Sequence, residues 1–252
     1  MLNKFIPIII AAVSLIAWEA VIAVPQRFWG SLVAFVIIFF FGFLQLHGFR
    51  IASKTFWLLA APPFFAALSA GVLSLFLTLP WLSHLLIAAA AIFVYLYLSH
   101  VYLFLFAITR YRPLSLERFS SYGSVASFTS VAIAAYGFIN FLNTQIWCAV
   151  LAVAAVTFLL SYQFFWVNKI DEQHTLFAGL LAATLIVEFF WAISFFPVTH
   201  FISGLSLGII YYVIVNLTLL HFLDTLEKRL ITVYLAIGGS CVLLILLSAR
   251  WL

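Results

Sequence analysis

The sequence predicts an all-α fold: a polytopic transmembrane helix bundle of nine spans, N-terminus in and C-terminus out. Composition, the length of the apolar runs and the placement of positive charge carry that prediction. Of the 252 residues 67% are hydrophobic and 7% charged, with mean hydropathy +1.26, whereas soluble domains hold about 45 to 50% apolar and about 25% charged residues. A water-soluble fold is excluded. A hydrocarbon core about 30 Å thick needs roughly 20 apolar residues per helix, and nine such runs follow one another. They are continuously apolar, whereas barrel strands alternate over about ten residues.

The first run, Phe5 to Val24, follows Lys4. It imitates a signal peptide, but Glu19 interrupts its end and its removal would spoil the charge parity below, so it is expected to be retained. The second, Gly30 to Leu46, lies between Arg27 and Arg50. The third, Phe56 to Leu79, contains Pro62-Pro63, a pair that can break a helix. The fourth, Leu85 to Ile108, follows the tight turn Pro80-Trp81-Leu82, and the fifth, Ser124 to Leu142, follows the longest inner loop, Thr109 to Gly123. Asn143-Thr144-Gln145 turns the chain into the sixth, Ile146 to Val167. The seventh, Leu176 to Phe196, returns at Pro197 into the eighth, Val198 to Leu223, and Lys228-Arg229 introduces the ninth, Leu230 to Leu247. Short turns make consecutive spans neighbours. The whole chain, 1 to 252, reads as a single integral membrane domain.

Lys and Arg accumulate in short cytoplasmic loops. With nine spans and an inner N-terminus, one side holds Lys4, Arg50, Lys54, Arg110, Arg112, Arg118, Lys169, Lys228 and Arg229, leaving only Arg27 and Arg250 outside. Removing a middle span would scatter the charges over both faces. The cell membrane, of a bacterial cytoplasmic kind, is the expected location. The pI near 9.2 then reflects a basic rim and no nucleic-acid partner. Its expected partner is anionic lipid, with Arg110, Arg112 and Arg118 at the headgroups.

No pattern points to a cofactor or a metal. Every lysine lies at an inner end, there is no HExxH, and Cys148 and Cys241 fall in different spans. Gly204-Leu205-Ser206-Leu207-Gly208 matches GxSxG on paper. Yet Ser206 lies roughly 12 Å from the outer end of its span, and His100, the histidine deepest in a span, roughly 22 Å. A hydrogen bond needs about 3 Å, so no catalytic residue is assigned. The same stretch reads as GxxxG, which assigns Gly204 and Gly208 to close helix packing.

Glu188 and Glu19 are the candidate functional residues, because an acid inside a span is expected to face the bundle interior, a partner or a wet cavity. The competing role is hydrogen-bonding glue between helices. Thr184, Glu188, Trp191 and Phe195 share one helical face, and Ser206 lies at matching depth on the next span. A ligand pocket with Glu188 and Glu19 as polar anchors, Ser206 beside them, and Trp18, Trp191, Phe195 and Tyr211 as walls is the resulting expectation.

The C-terminal third, Glu188-Phe189-Phe190-Trp191 through Phe196-Pro197 to Tyr211-Tyr212 and Arg250-Trp251, resembles small multi-pass proteins of uncultivated candidate-phylum bacteria. That resemblance implies no activity. The leading expectation is a noncatalytic membrane assembly or scaffold component, with a possible protein partner within the membrane. The alternatives are a carrier of a small hydrophobic or lipid-like ligand and an intramembrane lipid-modifying enzyme.

Overall fold

The computed structural model describes residues 4–106 and 115–249. Among them are nine α-helices: α1 (Ile6–Ala23), α2 (Phe28–Leu46), α3 (Lys54–Ser74), α4 (Pro80–Phe106), α5 (Ser115–Leu142), α6 (Ile146–Val167), α7 (Glu172–Ile193), α8 (His200–Phe222) and α9 (Lys228–Leu247). All nine are long and apolar enough to cross a membrane, which marks the chain as a membrane protein. Three expected boundaries are corrected. α3 stops at Ser74 and α4 starts at Pro80, while α5 begins at Ser115, so the second half of the expected inner loop is helix. The third span is also unbroken, since α3 runs straight through Pro62 and Pro63.

The chain forms two compact units, residues 1–123 and 124–252. In the first, α1 packs on α2 and on α4, and α4 also on α3, so spatial order departs from chain order. The α2 stripe Phe35, Phe39, Phe43 and Leu46 is fully buried, and its spacing of four, four and three residues keeps it on one face. Phe64 of α3 stacks on Phe35 at 5.8 Å, and Phe56 meets Phe43 at 5.1 Å. Trp18 of α1 is buried against α3, where its indole occupies the space that a Cβ on Gly71 would need.

In the second unit α6 and α7 pack together, with Gly179 of α7 against Phe158 and Tyr162 of α6, and small or slender residues are buried on both, Ala149, Val153 and Thr157 on α6 and Ala178 and Ala182 on α7. Small residues allow the backbone approach on which helix association in lipid depends. Gly204 of α8 lies so near α5 that an added Cβ would meet the Ile133 backbone at 2.5 Å, and one on Gly208 would collide with Thr129. α9 is peripheral: it packs on α8, where Gly238 faces Val213, and Gly238 is its one buried residue.

Candidate functional site

The expected face of α7 exists, but it looks outward. Thr184, Glu188, Trp191 and Phe195 are all exposed, Trp191 by 50% and Phe195 by 71%. The buried stripe of the helix is Ala178, Ala182, Ile186, Phe190 and Ile193. Ile186 and Phe190 flank Glu188 in sequence, and a two-residue step turns about 200° around a helix, so burying both turns the carboxyl away from the core. Of the surroundings expected for Glu188, a bundle interior, a partner or a wet cavity, the bundle interior is the one its helix does not provide. Among the described residues nothing bonds to it. α7 ends at Ile193, short of Phe196, which puts Glu188 five residues, roughly 8 Å, from that end.

Ser206, in contrast, is enclosed. It is 1% exposed and its Oγ has no hydrogen-bond partner among the described residues, so it does not share a pocket with the exposed Glu188. Tyr211 is a core residue rather than a pocket wall: it is fully buried, stacked on Phe128 at 4.1 Å, and accepts a hydrogen bond from Ser161 at 3.3 Å. Around it the second unit buries further hydroxyls that the sequence did not single out. Ser124 donates to Gln163 at 2.7 Å, and Tyr136 donates to the Phe190 carbonyl at 2.8 Å. These pairs satisfy one another and tie helices together, the ordinary role of neutral polar groups in an apolar bundle.

In the first unit Trp18 is likewise core, 5.5 Å from Phe35. Glu19 beside it is partnered: its carboxylate accepts from His84 Nδ1 at 2.7 Å. The pair joins α1 to α4 with the carboxylate one-third and the imidazole half exposed. The pair leaves no local signature in the sequence, because the residues are 65 positions apart and sit on helices that are not consecutive. His100 fills a packing role, with Nδ1 bonded to the Leu96 carbonyl at 2.7 Å and its ring stacked 5.0 Å from Phe119. Of the basic trio assigned to lipid, Arg110 and Arg112 lie outside the described residues, and Arg118 is exposed near the start of α5.

Two of the open cavities among the described residues bear on a site. One, about 440 Å³, runs between α8 and α9 and is lined by Phe189, Ile210, Val213, Gly239 and Leu243 among other apolar residues. The other, about 480 Å³, lies at the α2–α3 turn and is lined by Leu46, His47, Gly48, Arg50, Ser53, Thr55, Leu105 and Phe106. Gly48 takes a left-handed conformation there, φ 69°, which closes α2 through a Phe49 N–H bond to the Leu44 carbonyl. Burial, and then the Arg50 guanidinium, hold the His47 imidazole below the usual histidine pKa.

A family model described as "Protein of unknown function (DUF5656)" matches residues 43–248. No curated protein and no solved structure matches the chain.

Proposed function

The chain belongs to this DUF5656 family, and we propose that it is a noncatalytic component of a membrane assembly, docking a partner's transmembrane helix on the outward face of α7. The observation that carries this reading is the exposed, unbonded Glu188, with Thr184 one turn before it. An acidic side chain facing hydrocarbon costs up to about 3 kcal/mol. A partner helix presenting a hydroxyl, amide or cationic donor offsets that cost, and exposed Trp191 and Phe195 extend the contact toward the end of α7.

In this reading the protein crosses a bacterial cytoplasmic membrane nine times, N-terminus in and C-terminus out. The nine-to-two charge split supports the orientation, and the nine long apolar helices support a membrane setting. Arg118, with Arg110 and Arg112, contacts anionic headgroups on the inner side.

The test is purification from native membranes in mild detergent of three forms: wild type, Glu188→Gln and Glu188→Leu. Gln keeps hydrogen-bonding capacity, so a stoichiometric membrane partner is expected with wild type and Gln and lost with Leu, all three forms melting alike. The same companions with all three forms, or none with any, would contradict the reading. The cavity between α8 and α9 favours a second reading, a carrier of a small hydrophobic or lipid-like ligand. Its aliphatic lining suits an acyl chain, and a Gly239→Leu change that fills it without displacing a bound lipid would count against that role.

A further inference from the structure

The α2–α3 turn holds polar groups that nothing among the described residues uses. Arg50 is exposed and lines the cavity, and among the described residues no carboxylate pairs with it. All seven acidic residues of the chain, Glu19, Glu117, Asp171, Glu172, Glu188, Asp224 and Glu227, lie outside the turn and outside the cavity lining. Ser53 stands at the N-cap of α3 without a side-chain capping bond, and neither its hydroxyl nor that of Thr55 has a hydrogen-bond partner among the described residues. His47 stacks on Phe56 at 5.9 Å and its Nε2 is an unpartnered buried atom. A guanidinium, two uncommitted hydroxyls and an imidazole around about 480 Å³ make a pocket for an anion with several acceptor oxygens.

Exposed apolar residues of the same turn and the start of α3 identify the carrier of that anion. Phe49, Ile51 and Trp57 are exposed by 64%, 52% and 50%, and the Trp57 indole is fixed by donating to the Ile51 carbonyl at 3.1 Å. Phe106 adds an apolar edge to the cavity itself. Aromatic and aliphatic side chains beside an unpaired arginine at a helix end match the boundary between headgroups and acyl chains. We infer that the α2–α3 turn is a binding site for one anionic phospholipid, its phosphate held by Arg50, Ser53 and Thr55 and its acyl chains lying along Phe49, Ile51 and Trp57. The site is independent of the α7 face.

Native mass spectrometry of the full-length protein in a non-ionic detergent tests this by titration with phosphatidylglycerol, phosphatidylcholine or inorganic phosphate. Wild type is expected to retain one phosphatidylglycerol with at least about fivefold preference over phosphatidylcholine. Arg50→Gln should erase the preference, and Ser53→Ala with Thr55→Val should weaken it while leaving elution and melting unchanged. Arg27→Gln, at the opposite end of α2, should keep it. Two outcomes overturn the proposal. One is an undiminished preference in Arg50→Gln. The other is displacement of the lipid by millimolar inorganic phosphate, which would make the pocket a site for a free anion. If Arg50→Gln does not fold, the Ser53→Ala, Thr55→Val form decides, and an unchanged preference there is likewise fatal.

Discussion

Gly204 and Gly239 make a controlled pair at the scale of single residues. Both are helical glycines in the second unit, but a Cβ on Gly204 would meet the Ile133 backbone at 2.5 Å, while one on Gly239 would meet nothing within 4 Å. Backbone cannot rotate out of the way as a side chain can, so Gly204→Ala must push α8 from α5. The expected loss is about 1 to 3 kcal/mol, read as a lower melting temperature in detergent. Gly239→Ala adds a methyl in open space and removes a helix-disfavouring glycine, so it should be neutral or stabilising by up to about 1 kcal/mol. Equal destabilisation by both would refute the account of the α5–α8 crossing. The pairing of Glu19 with His84 belongs to this scale too: one of the two acids within the spans is satisfied inside the chain, whereas nothing among the described residues bonds to Glu188.

At the scale of elements, the run of apolar residues was legible because a helix in lipid must be long and apolar whatever it packs against. Which side of each helix faces inward was not. In a soluble protein the polar face marks the outside, but here Ile186 and Phe190 point in while Leu180, Leu181 and Phe189 point out, and both sides are apolar. The spacing that grouped Thr184, Glu188, Trp191 and Phe195 therefore found a face without its direction. Charge misled the fifth span as well: Arg118, grouped with Arg110 and Arg112 in one inner loop, made residues 115–123 read as loop, yet Leu116 and Ser120 are buried on α5. Pro62 and Pro63 read as a break, but α3 holds its course with Leu58 to Pro63 packed inside the first unit. The α2–α3 cavity had no sequence signature, because it joins a turn to Leu105 and Phe106 at the far end of α4.

At the scale of the whole molecule, orientation is set by charge rather than by packing, since Lys and Arg resist translocation. Reporters fused after Leu252 and inserted at Pro80 or Asn143 should behave as external, and one at residue 114 as cytoplasmic. A cytoplasmic C-terminus would sink the nine-span arrangement. The same arrangement leaves two unequal outward faces on the second unit. α9 presents aliphatic side chains such as Leu235, Ile237 and Leu243, which lipid covers at no cost. α7 presents a carboxyl among aromatic rings, which lipid does not.

That difference can be measured directly by placing a photoreactive amino acid at Trp191 on α7 and, separately, at Leu243 on α9, and irradiating intact native membranes. If α7 docks a partner helix, the Trp191 position should give a discrete protein adduct that disappears in the Glu188→Leu background and persists in Glu188→Gln, while the Leu243 position gives lipid adducts. Lipid adducts alone at both positions, with Glu188 intact, would contradict the assembly role.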